Sequence, residues 1–144
     1  MNFSDRLPVL LVIGVLGAGA TLFGSQFLEG TDSQPTAETV RVPDLSATAR
    51  KGKVAFDAVC AQCHGANGAG SDKGPPLVHP IYNPGHHGDM AFFLAAKNGV
   101  RRHHWKFGDM PPQPQVKEEQ IAEIVAYIRE LQRANGIVYE PHRM

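Results

Sequence analysis

Apolar and polar positions change their spacing along the chain, and the changes divide it into three stretches. From Leu7 to Leu28, 22 residues pass without a charge and are rich in Leu, Val, Ile, Gly and Ala. As a helix they would extend roughly 33 Å, enough to cross a bilayer. From Gly30 to Asp44 the sequence turns to Pro, Thr, Ser, Gln and acidic residues without helical period, a pattern that predicts a tether. Hydrophobic residues then return at intervals of three and four. Residues 1–29, 30–44 and 45–144 therefore read as a membrane anchor, a flexible tether and one folded domain.

Three helices are predicted in the domain. Ser46 can cap the first, which runs through Lys51, Lys53 and Phe56 to about Val59. Asp89 is the expected cap of the second, from Met90 to about Lys97, with Asn98-Gly99 as its stop. The third has the clearest period: Ile121, Ile124, Val125, Ile128 and Leu131 share a face, Glu118 and Glu119 favour its N-terminal end, and Asn135-Gly136 terminates it. Gly- and Pro-rich loops join these segments, one of them spanning Val100 to Val116, and nothing alternates as a strand does. The fold class expected is all-α.

A cleaved secretory signal is the rival reading of the first stretch, because Ala18-Gly19-Ala20 supplies small residues of the cleavage-site kind. Apolar residues continue past that point through Leu22, Phe23, Phe27 and Leu28, and Arg6 is offset by Asp5. These features favour an uncleaved anchor. Arg6 before the span and Glu29, Asp32 and Glu38 after it place the N-terminus in the cytoplasm and the domain on the far side of the membrane.

Composition narrows the chemistry. At 42% hydrophobic and 19% charged the chain is neither a disordered polymer nor a polytopic membrane protein. Lys plus Arg and Asp plus Glu are both 14, so no general nucleic-acid affinity is expected. The two cysteines sit together in Cys60-Ala61-Gln62-Cys63-His64, which rules out a disulfide framework across the fold. In a Cys-x-x-Cys-His run two thiols can add to haem vinyl groups while the next imidazole ligates iron. A structural zinc site would need a second ligand pair, and a redox dithiol would need a strand-helix alternation; neither accompanies this motif.

Other segments extend the pattern. Gly52 and Phe56 lie four residues apart before the motif, and Ile124 and Tyr127 lie on the last helix. Gly74-Pro75-Pro76-Leu77 follows the motif, and Gly108-Asp109-Met110-Pro111-Pro112 lies 46 residues beyond His64 at its methionine. Together these stretches resemble a class I c-type cytochrome, a single-haem, membrane-anchored bacterial cytochrome c. The resemblance implies three or four short helices around one covalent haem (heme c) held through Cys60 and Cys63. It implies that Gly52 and Phe56 meet Ile124 and Tyr127 at a helix crossing, and that the Pro75 carbonyl receives the second ring nitrogen of His64. It also implies His64 and Met110 as axial ligands. A thioether is soft and neutral, so it favours ferrous iron. Met90, the rival sulfur, opens an apolar helix and is expected in the core.

Trp105, the only tryptophan, stands in the loop before Met110, where relatives often direct the indole toward a propionate. Packing against the haem edge is the alternative. His86, His87, His103 and His104 exceed what a small cytochrome c needs. They read as exposed loop residues or propionate partners, with a distal imidazole or a separate copper site as alternatives. Lys97, Arg101, Arg102 and Lys106 could neutralise propionates or steer the domain to an acidic redox partner. The expectation is a one-electron carrier, not an enzyme, in the periplasm at the bacterial inner membrane. The resemblance suggests a quinol-oxidising complex as donor and a terminal oxidase as acceptor. Its competitors are a haem- and copper-handling accessory protein and a small haem enzyme with a displaceable sixth ligand.

Overall fold

A computed structural model describes residues 39–141. The expected anchor and most of the tether lie outside the described residues; among those described, no helix is long and apolar enough to cross a membrane. Among the described residues four α-helices form: α1 (Ala47–Val59), α2 (Ala61–His64), α3 (Asp89–Asn98) and α4 (Glu118–Ala134). Short 3-10 turns occupy Ala66–Gly68 and Pro80–Tyr82. Among the described residues extended pairing is limited to one antiparallel bridge, Val100 with Met110.

Each helix boundary has a local cause. The Ser46 hydroxyl accepts the Ala49 N–H at 3.1 Å and starts α1. α4 begins with half of a capping box, in which the Gln120 side chain accepts the Lys117 N–H at 3.0 Å. It ends at Asn135, whose side-chain amide donates to the Leu131 carbonyl at 2.7 Å and to the Arg41 carbonyl at 2.8 Å, while its oxygen accepts the Arg41 N–H at 2.9 Å. The last residues of the expected tether are thus fastened to the end of α4, and Val40 packs against the core. α3 departs from expectation at its start: Gly88 is the cap, and Asp89 is the first helical residue, bonded elsewhere.

The core sits between α1 and α4. Phe56 and Tyr127 are fully buried and meet edge-on, with centroids 5.6 Å apart and planes at 60°. Ala49, Ile121, Ile124, Val125, Ile128 and Leu131 complete this contact. A Cβ on Gly52 would stand 1.9 Å from the Glu123 carbonyl oxygen, so the two backbones touch where only a glycine fits. The expected crossing of Gly52 and Phe56 with Ile124 and Tyr127 is what forms.

Candidate haem site

The cysteine motif follows α1 with almost no interruption. Cys60 N–H still bonds the Phe56 carbonyl at 2.8 Å, and the next residues make the single turn α2, with His64 N–H on the Cys60 carbonyl at 2.9 Å. One turn of helix brings the two cysteines and the histidine together because residues three and four apart share a face. Gly65 then reverses the chain at a φ of 72°, where an added Cβ would strike the Gly70 carbonyl oxygen at 2.1 Å. That reversal returns the chain so that Pro75 lies beside His64.

The His64 Nδ1 stands 2.8 Å from the Pro75 carbonyl oxygen. A carbonyl only accepts, so Nδ1 carries the proton and Nε2 keeps its lone pair. Burial lowers the His64 pKa, opposed by the bond to Pro75, so the ring is held neutral and able to ligate. The Cys60 thiol is pushed up to about 11, first by burial and then by Cys63, and therefore stays protonated at neutral pH.

These residues open onto a cavity of about 450 Å³. Cys60, His64, Pro75, Trp105 and Met110 all line it, although they come from separate parts of the chain; Cys63 lies outside the lining and is exposed. Apolar side chains form most of the wall, among them Phe56, Leu77, Phe92 and Ile124. A covalently held, largely apolar macrocycle fits this surround: the Cys60 thiol at one border with Cys63 one turn on, a neutral imidazole with a free lone pair, and a thioether. The residues present suit haem.

Met110 reaches the cavity through the bridge with Val100, in which both N–H groups donate to the opposite carbonyl at 2.9 Å. Gly99, at a φ of 76°, ends α3 and lets the Met110 carbonyl approach; a Cβ there would be 2.6 Å from it. The Gln113 N–H on the Ala96 carbonyl at 2.7 Å fastens the loop a second time. Met90, expected in the core, is instead 65% exposed. Its position on α3 faces away from the wall that Phe92, Ala95 and Ala96 supply to the cavity.

The indole N–H of Trp105 donates to the Tyr82 hydroxyl at 3.1 Å, an acceptor the sequence reading did not identify. Lys97 pairs with Glu118 at 2.7 Å and lies 5.8 Å from the Phe93 ring centroid. The residue that sequence reasoning missed altogether is Arg129, only 7% exposed on α4. It bonds Asp89 at 2.8 Å, the Tyr82 carbonyl at 2.8 Å, the His87 carbonyl, and the buried Gln132 at 2.6 Å. Its guanidinium lies over the Phe92 ring at 4.8 Å. Gln132 adds a bond to the Leu77 carbonyl at 2.9 Å, so α4 holds two cavity-lining segments from behind. A signal existed: Arg129 and Gln132 continue the apolar stripe four residues beyond Val125 and Ile128.

Comparison with known proteins agrees with this construction. The family model described as cytochrome c matches residues 49–132, from the first turn of α1 to the last of α4. No curated protein and no solved structure matches the chain. The matched span covers more than half of the sequence and contains the cysteine motif, the cavity and the helix crossing, and so the chain belongs to the cytochrome c family, whose members bind covalent haem c and carry electrons.

Proposed function

We propose that the protein is a class I, single-haem cytochrome c with His64 and Met110 as axial ligands, serving as a one-electron carrier at a membrane. The observation that carries this reading is the convergence on one cavity of Cys60, the neutral His64 fixed by Pro75, and Met110. Bound haem supplies an iron that exchanges a single electron. Cys60 and Cys63 fasten it to the chain. The Pro75 carbonyl sets the tautomer and basicity of His64. Met110 offers a neutral sulfur from a loop closed by the Val100 bridge and stiffened by Pro111 and Pro112. The mostly apolar wall gives a charge change on bound haem few protein dipoles to reorient.

The 22 uncharged residues from Leu7 to Leu28 support an inner-membrane anchor with the domain in the periplasm. There it would exchange electrons with a donor such as a quinol-oxidising complex and an acceptor such as a terminal oxidase. The test is the absorption spectrum of the haem-loaded chain, oxidised and reduced. We expect the weak sulfur-to-iron band of ferric His/Met haem at the red end of the visible spectrum, its loss in Met110→Ala, and a lower midpoint potential in that variant. Absence of the band in wild type, with ready carbon monoxide binding to the reduced form, overturns this ligation and favours a small haem enzyme with a displaceable ligand.

A further inference from the structure

The four loop histidines that a simple carrier does not require come together. His86 and His87 follow the 3-10 turn at Pro80–Tyr82, His103 and His104 stand in the loop closed by the Val100–Met110 bridge, and their rings interlock: His86 against His104 at 5.2 Å, His87 against His104 at 5.1 Å, His103 against His104 at 4.2 Å. Of these, His86, His87 and His104 each bring a ring nitrogen to within 4.8 Å of the other two.

We propose that His86, His87 and His104 form a binding site for one divalent late first-row transition-metal ion, separate from the haem iron, and this goes beyond the electron-carrier reading. Three independent features support it. The His86 Nε2 and His104 Nε2 are 3.3 Å apart. Metal–imidazole bonds of ~2.0 Å in tetrahedral array put neighbouring nitrogens ~3.3 Å apart, so these two already span one edge of such a site. The His87 Nδ1 is 2.8 Å from the Ile81 carbonyl oxygen. That carbonyl can only accept, which leaves Nε2 as the nitrogen with a lone pair, and a backbone carbonyl behind the ring is the usual support of a metal-bound histidine. Finally, the donor set is all imidazole. Imidazole suits zinc and copper over magnesium or calcium, and three such ligands leave a fourth position for water.

His103 stands outside the group of three whose ring nitrogens lie within 4.8 Å of one another, although its ring packs beside those of His87 and His104. An ion bound by the other three would tie the turn after Tyr82 to the loop that carries Met110, two segments that meet here through side chains.

The experiment is calorimetric titration of Zn2+ into the haem-loaded full chain, with thermal unfolding followed on the same samples. We expect saturable binding of one ion per chain and a rise in Tm with zinc. His86→Gln and His104→Gln should each weaken binding about tenfold or more, and His103→Gln should leave it within about twofold. Absence of one-to-one binding in the folded protein overturns the proposal, as does binding that survives the double variant His86→Gln/His104→Gln. So does a bis-imidazole haem spectrum in wild type that His104→Gln abolishes without zinc, since that imidazole, which also lines the haem cavity, would then be on iron. Haem content, read from the same spectra, separates failure of this site from failure of the carrier reading.

Discussion

The α1–α4 pair and the wall made by α3 with the Val100–Gln113 loop are built on opposite rules. α4 buries a full apolar stripe against α1, down to direct backbone contact at Gly52. α3 is the more apolar in sequence yet buries no residue fully: Leu94 is 47% exposed, and Ala91, Phe92, Ala95 and Ala96 face the cavity. The first region packs mainly on itself and lends the cavity only one edge, through Phe56, Ile121, Ile124 and Val125, whereas the second is shaped around something else. A cofactor-binding fold of 100 residues has little core to spare, and here the self-packed half positions the ligands while the other half supplies the surround.

The sharpest way to break this division is at Gly52. A methyl group there must displace the α4 backbone at Glu123 and Ile124, and backbone cannot yield as a flexible side chain does. Gly52→Ala should cost about 3 kcal/mol or more, measured by urea unfolding. A loss under about 1 kcal/mol would show that the helix pair adjusts freely and is not the rigid half.

Next in size is Arg129, which joins the two regions. Arg129→Ala strips donors from the Tyr82 and His87 carbonyls and from Gln132, all in a poorly hydrated place, and should cost roughly 2–3 kcal/mol. Asp89, 72% exposed in its side chain, is the dispensable end of the same network. Asp89→Asn should cost under about 1 kcal/mol. Equal losses for the two substitutions would mean that the ion pair, rather than the buried hydrogen bonds, does the joining.

The contrast also decides what could be read from the sequence. The bounds of α1 and α4 were legible because capping residues and a single buried stripe impose a period on them. The haem motif and the Gly74–Leu77 and Gly108–Pro112 segments were legible because each requires particular residue types. Met90 was misplaced in the core because α3 carries apolar residues on the side that faces the cavity and on the side that faces solvent, and periodicity does not separate the two. Arg129 was missed since a charge inside an apolar stripe is assigned to solvent unless carbonyls from distant loops are known to surround it. The bond between Trp105 and Tyr82 joins residues 23 apart and has no sequence signature.

Withholding haem should expose the difference directly. In apo-protein the α3 amides, Asp89–Asn98, should exchange with deuterium about tenfold or more faster than in the loaded protein, while central α4 amides change little. Uniform acceleration of both helices would show that the α1–α4 core also depends on the cofactor.

The smallest effect tests a single link within the self-packed half. Tyr127 donates its hydroxyl to the Asn67 side chain at 2.8 Å, holding a residue at a left-handed φ of 55° just past the haem motif. Tyr127→Phe keeps the ring against Phe56 and should cost about 1 kcal/mol at neutral pH. The hydroxyl is pushed up to about 12, by burial first and by Asp57 second, from a value of 10 in the open chain. Between those values the unfolded chain has released the proton and the folded one retains it, so the contribution is intact below pH 10 and disappears as pH rises through about 12. Unfolding curves for wild type and variant should therefore converge over that interval. A gap that stays constant would mean that the hydrogen bond is not sustained by the buried phenol, and that Asn67 is held by its own turn.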